Sequence, residues 1–241
     1  MVGGADRRGG GARRDLVGRR SVRPLPARAA RRVQAHRPPP GEPAVVIALV
    51  RHGETATNRD GRLLGRADPV LTDAGAAQAA ALGAHFAQAT PPVAVVSSPL
   101  MRARQTAAAI AAPFGLEVEV DDRLVEIDYG EWDEKGFADV PADEMRRWRA
   151  DPAFVPPGGE SLVVVHARVQ QCADELLTRA GDELVVAVSH VSPIKAVVAW
   201  ALGVGPEIAW RMRLDLASIT RVDRGPSLLS FNESPPGFSA R

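Results

Sequence analysis

The chain has a single cysteine, Cys172, and only two lysines, Lys135 and Lys195. One thiol excludes an internal disulfide framework and a zinc site built on cysteines. Aromatic residues are 5% of the 241 positions, too few for a stacking surface along single-stranded nucleic acid. Long apolar runs are also missing: the stretch from Ala196 to Gly205 is ten residues, whereas a membrane-spanning helix needs about 20. The N-terminal region has no apolar core of about 7–15 residues, the length a secretory signal requires. The expectation is a cytoplasmic protein with no membrane partner.

What is present is typical of one globular domain with a sizeable core, at 45% apolar and 24% charged residues. The net charge of +1 hides two unequal parts. Residues 1–42 hold 11 arginines against Asp6, Asp15 and Glu42, a net of +8, and the rest holds 19 basic and 26 acidic residues, a net of −7. Gly, Arg, Ala and Pro dominate the first part, which ends in Arg37-Pro38-Pro39-Pro40-Gly41-Glu42-Pro43. Such a composition cannot bury enough surface to offset the entropy of ordering, so residues 1–43 are expected to be a disordered basic tail. It reads as a solvated linker, with a nucleic-acid-binding arm as the alternative; nucleic acid is disfavoured as a partner. The folded domain is expected over 44–231, and 232–241 as a second unstructured tail.

Within the domain, strand-like and helix-like patterns alternate. Val45 to Val50 is a continuous apolar run, as in a strand buried on both faces. Thr72 can cap a helix reaching about Gln88, and Val93 to Val96 is a second strand. Ser98-Pro99 and Ser192-Pro193 each read as a helix start, with serine as cap and proline at the first helical position. Leu162, Val165, Val169, Cys172 or Ala173, Leu176 and Leu177 mark one face of a long amphipathic helix, and Leu184 to Val188 repeats the buried-strand pattern. The alternation predicts an α/β fold, a three-layer sandwich around a mostly parallel sheet.

Three of these strands end in polar residues: Arg51-His52-Gly53-Glu54-Thr55 followed by Asn58, then Ser97-Ser98-Pro99-Leu100-Met101-Arg102, and Ser189-His190. Ligands of open α/β sheets sit beyond the carboxyl ends of the strands, where helix N-termini favour anions. Two arginines and two histidines converging there suit a phosphate, which arginine grips in a bidentate fork.

Arg51-His52-Gly53-Glu54-Thr55 resembles the signature of the histidine phosphatase (phosphoglycerate mutase-like) superfamily. The resemblance continues in order through Leu71 to Gly75, Ser97 to Thr106, Leu124-Val125-Glu126, Tyr129 to Trp132, Pro157 to Ser161 and Ser189-His190. It implies a phosphoglycerate mutase-like fold and a catalytic set of His52, Glu126 and His190. His52 would form a phosphohistidine intermediate, and Glu126 would protonate the leaving oxygen and then activate water. Arg51, Asn58, Arg102 and His190 would bind the phosphate. No metal and no cofactor is expected, the partner is a small phosphomonoester, and the family's habit suggests a homodimer. Two rivals compete for roles, Arg104 for that of Arg102 and Glu131 for that of Glu126; register and spacing favour Arg102 and Glu126. His166 is expected at a core boundary, His85 and His36 at the surface, and Cys172 as a small core hydrophobe.

The chain departs from the family pattern after Trp132, where the usual Glu-Gly is replaced by Asp133-Glu134-Lys135-Gly136. Only 30 residues separate Glu126 from Pro157, with one short helix ending near Trp148, and mutases carry a longer insertion there. That favours water as acceptor, hence a phosphomonoesterase. Arg146, Arg147 and Arg149 in this segment are either a solvated helix face or contacts to an anionic substrate. Val188 to Lys195 and Arg213 to Ser218 resemble the acid phosphatase domain of actinobacterial bifunctional ribonuclease H/acid phosphatase proteins, which is associated with α-ribazole phosphatase activity. Residues 1–43 have neither the acidic cluster nor the length of the ribonuclease H domain, so a stand-alone phosphatase is expected, with α-ribazole 5′-phosphate a candidate substrate. The alternatives are mutase-type phosphoryl transfer and a non-catalytic phosphate-binding module.

Overall fold

Val46 to Val50 is almost wholly buried, and its side chains alternate between two cores: Ile47 and Leu49 in one, Ala48 and Val50 in the other. That is how a strand with helices on both faces must read. The computed structural model describes residues 46–235, together with Met1. Its elements are β1 (Ile47–Arg51), α1 (Ala56–Arg59), α2 (Asp73–Ala87), β2 (Ala94–Ser97), α3 (Met101–Ala111), β3 (Val118–Val120), α4 (Ala142–Ala150), α5 (Leu162–Ala180), β4 (Val185–Ser189), α6 (Val191–Ala201), β5 (Ile219–Val222) and β6 (Leu228–Glu233).

The sheet order is β3-β2-β4-β1-β5-β6. β1, β2, β3 and β4 pair in parallel, while β5 runs antiparallel to β1 and to β6. On one face, Leu82 and Phe86 of α2 and Ala103, Ala107 and Ile110 of α3 pack on Ala48, Val50, Val186 and Val188. On the other, α4, α5 and α6 cover Ile47, Leu49, Val185 and Ala187 through Trp148, Val165, Val169, Cys172, Ile194 and Val197. The expected three-layer α/β architecture is thus observed. Register places the carboxyl ends of β1 and β4 side by side, Arg51 opposite Ser189, so that His52 and His190 leave the sheet as neighbours.

Three boundaries differ from the sequence reading, each because a distant side chain intervenes. α3 begins at Met101 without a side-chain cap. Ser98 is instead engaged by His190, Oγ to Nε2 at 2.7 Å, and Asp68 Oδ1 accepts the Met101 N–H at 2.6 Å. α6 begins at Val191, which puts Pro193 in the first turn, where no N–H is needed. Asn232 and Glu233, expected in the C-terminal tail, belong to β6 because both are paired: the Asn232 amide donates to Asp215 at 2.9 Å, and Glu233 forms an ion pair with Arg221. The basic tail, His36 and the segment 236–241 lie, apart from Met1, outside the described residues.

Candidate active site

Gly53 lets the loop after β1 lie directly on the start of α2. A Cβ at Gly53 would stand 2.5 Å from the carbonyl oxygen of Gly75, so the two motifs that contain these glycines are locked face to face. The tight turn brings the ring of His52 onto its own neighbour, with Nδ1 2.7 Å from the Gly53 carbonyl oxygen. A carbonyl only accepts, so Nδ1 carries the proton and Nε2 keeps the lone pair. His52 is 3% exposed. Burial, then the charges of Arg102 and Arg51, hold its pKa well below 6.5, so the ring is neutral at physiological pH.

His190 stands behind it, the two ring centroids 5.0 Å apart, and its pKa is lowered in the same way by burial and by Arg102. The Arg102 Nε–H reaches His190 Nδ1 at 3.3 Å. Arginine cannot accept, so Nδ1 is the acceptor, and the neutral ring donates Nε2–H to Ser98 Oγ.

Arg102 is fully buried, and it also bonds two backbone carbonyls, Nη1 to Ala67 at 2.7 Å and Nη2 to Gly65 at 2.8 Å. Arg104 is exposed on the outer face of α3. Arg51 gives Nη1 to the Leu214 carbonyl at 2.7 Å and keeps a buried Nε with no protein partner. Burial lowers both guanidinium pKa values to about 10, so both remain charged near neutrality.

Glu126 is 3% exposed, and its carboxylate occupies the N-terminus of α6. Oε1 accepts from Ile127 N at 2.8 Å and Ser192 N at 3.1 Å, and Oε2 accepts from Val191 N at 3.0 Å. It thereby does the capping that Ser192 was expected to do. Its segment is held from behind: Arg168 donates to the carbonyls of Arg123 at 2.6 Å and Glu126 at 3.3 Å while paired with Glu160 at 2.9 Å. Glu131 is exposed and lines no part of the site. Asn58 closes a capping box with Thr55, whose N–H and Oγ–H both bond Asn58 Oδ1, at 3.2 and 2.9 Å.

A cavity of about 710 Å³ opens on this cluster. Arg51, His52, Asn58 and Glu126 line it; Arg102 and His190 do not, His190 packing against the His52 ring with its Nε2–H on Ser98 and Arg102 bonding His190 and the loop carbonyls. Sequence reasoning missed the far wall, where Tyr129, Trp148, Trp210 and Lys195 face the cavity. Trp148 packs edge-on against Tyr129 and Trp210, with centroids at 5.6 and 4.2 Å. Arg146, Arg147 and Arg149 stay outside it on the exposed face of α4, with Arg147 over the Phe154 ring at 4.9 Å.

The departure after Trp132 also finds its place. Asp133 accepts the N–H groups of Gly65, Arg66 and Ala67 at 2.7, 2.8 and 2.8 Å, clamping the loop whose carbonyls hold Arg102. Glu134, where the family pattern carries glycine, has a left-handed backbone with φ +62°. Away from the site, Cys172 is buried in the core, where burial pushes its thiol pKa up. His166 is half-buried as expected; His85, expected at the surface, is half-buried too, with Nε2 3.3 Å from Arg221.

The chain is 40% identical over 177 residues to the bifunctional protein Rv2228c of Mycobacterium tuberculosis, a match covering 72% of this chain and 49% of that protein. The chain thus spans about half the length of the curated relatives it matches first. It is 38% identical over 179 residues to phosphoserine phosphatase 1 of Hydrogenobacter thermophilus, covering 72% of this chain and 84% of that one. Among solved structures it resembles a mycobacterial glucosyl-3-phosphoglycerate phosphatase complexed with VO3, with TM-score 0.71, 32% identity, and coverage of 78% of this chain and 98% of the other. No helix among the described residues is long and apolar enough to cross a membrane. The family model for the histidine phosphatase superfamily, branch 1, matches residues 47–233, and with the signature histidine, its partner histidine and the buried glutamate gathered at one sheet end, the chain belongs to that superfamily.

Proposed function

We propose that this phosphoric monoester hydrolase works in the cytoplasm through a phosphohistidine on His52, with water as final acceptor and no metal. The observation that supports it most is the state of His52: neutral, its Nδ1–H committed to Gly53, and its Nε2 lone pair available near the half-buried Arg51 and the buried Arg102. In the first step Nε2 attacks phosphorus, the bond from phosphorus to the ester oxygen breaks, and Glu126, which takes up a proton as the substrate binds, gives it to the departing alkoxide. In the second step Glu126 takes a proton from water, whose oxygen attacks phosphorus; the P–N bond breaks, releasing inorganic phosphate and neutral His52. Proton transfer of this kind contributes roughly 10²–10⁴-fold.

Arg51, with its unpartnered Nε, and Asn58 meet the phosphoryl oxygens from the cavity wall. His190 turns its Nε2–H from Ser98 to the phosphoryl group, and Arg102 supports it from behind. Fixed charge and positioning carry most of such a reaction.

The leaving group is a small metabolite, which the aromatic far wall accommodates. Candidates are α-ribazole 5′-phosphate, from the likeness of residues 188–195 and 213–218 to the actinobacterial acid phosphatase domain, and phosphoserine and glucosyl-3-phosphoglycerate, the substrates named in similar proteins. The nine-residue α4 forms a compact cover, which supports hydrolysis over mutase-type transfer. The test is p-nitrophenyl phosphate turnover by wild type and His52→Ala: equal rates contradict the reading. With 3-phosphoglycerate, release of inorganic phosphate supports it, and appearance of the 2-isomer supports a mutase.

A further inference from the structure

Lys195 is a half-buried cation that the chemistry above does not use. It lies one turn into α6, and Nζ donates to the Ala209 carbonyl at 2.9 Å. An ammonium has three donors, so two remain. It forms no ion pair among the described residues, although charged side chains removed from water normally have a partner.

The carboxylates lining the same cavity are engaged elsewhere. Glu126 is on the α6 amides and acts on Lys195 through its charge without bonding it, Glu54 Oε1 accepts from Thr72 Oγ1 at 2.8 Å, and Asp215 is held by Arg213 at 2.7 Å and by Asn232 at 2.9 Å. Of the other cations on the wall, Arg51 faces the phosphate end, while Arg62 is exposed and gives Nη1 to the Glu134 carbonyl at 3.1 Å. Among the described residues no carboxylate touches Lys195, so a directly bonded counter-ion is a group the substrate can bring.

Its position follows from Glu126. That carboxyl must reach the ester oxygen and is anchored at the first residues of the helix that carries Lys195, so the leaving group departs along this wall. We propose that Lys195 is a specificity residue that pairs with a carboxylate carried by the leaving group close to the ester oxygen. Desolvation already strains the ammonium, lowering its pKa, and a bound carboxylate relieves that strain. The inference rests on the phosphatase reading and selects acidic phosphomonoesters among its candidates.

Phosphoserine and phosphoethanolamine differ only in a carboxylate, so the ratio of their kcat/KM values isolates this contact. A charge-assisted hydrogen bond contributes about 1.5–3 kcal/mol, or roughly 10–100-fold. The expected wild-type ratio is at least about tenfold in favour of phosphoserine. It should fall by about tenfold or more in Lys195→Met and be partly retained in Lys195→Arg. An unchanged ratio in Lys195→Met overturns the proposal, whether both values hold or both fall together. Loss of p-nitrophenyl phosphate turnover in His52→Ala tests the underlying phosphatase reading separately.

Discussion

Replacing Asp133 by Asn probes how the phosphate end of the site is kept rigid. The two Asp133 oxygens accept three consecutive backbone N–H groups, from Gly65, Arg66 and Ala67. The peptide unit between Gly65 and Arg66 is shared: its N–H goes to Asp133 and its carbonyl to Arg102 Nη2. Asn retains one acceptor oxygen and turns an NH2 toward the remaining amides. A hydrogen bond to a charged group contributes about 1.5–3 kcal/mol. Asp133 is half-exposed and water recovers part of the loss, so about 2 kcal/mol of stability should disappear.

The consequence for activity passes through Arg102, whose carbonyl cradle loosens. Outright removal of one preorganised donor costs about 10²–10³ in kcat, so a misaligned guanidinium should cost roughly tenfold. The assay is kcat/KM for p-nitrophenyl phosphate far below the melting temperature, together with inhibition by inorganic phosphate, in wild type, Asp133→Asn, Arg102→Lys and the double variant. The two substitutions should be strongly non-additive. A variant that loses stability but keeps its kcat/KM, or rate losses that simply add, would refute the relay.

Two further outcomes follow from the same structure. Glu134 holds φ +62°, which costs a non-glycine residue roughly 1–2 kcal/mol, so Glu134→Gly should gain about 0.5–1 kcal/mol after the extra chain entropy is counted, raising Tm by about 2 °C; a lower Tm contradicts this. His52 and His190 are held neutral in the fold, their pKa values below the roughly 6.5 of the unfolded chain. Below pH 6.5 the unfolded chain therefore binds protons that the folded one refuses. Stability should fall as pH drops from 6.5 toward the folded values, by up to about 1.4 kcal/mol per unit for each ring. A urea midpoint unmoved between pH 7 and 5.5 would contradict the buried neutral pair.

Much of this was legible because some residues report their environment locally. The apolar runs of β1 and β4, short and rich in valine, read as strands covered on both faces, and the period of Leu162, Val165, Val169 and Cys172 reads as a helix with one buried side. The arginine and glutamate of the site were separable from Arg104 and Glu131 by register, and the structure buries the first of each pair and exposes the second. What failed did so through long-range partners. Ser98 looks like a helix cap until His190 takes its hydroxyl, and Ser192 until Glu126 caps the helix from 66 residues away. Asn232 and Glu233 look like a polar tail because Asp215 and Arg221, which hold them in β6, are remote in sequence. Lys195, Trp148 and Trp210 follow no local pattern; they become a cavity wall only when α4, α6 and the turn after α6 meet.

The covalent step is open to direct observation. Mixing the enzyme with a 32P-labelled phosphomonoester, quenching in alkali within one turnover and digesting the chain should yield one labelled peptide. It should contain His52, with the label stable to base, lost in acid and absent from His52→Ala. Product accumulating while no peptide carries label would contradict transfer through the His52 ring.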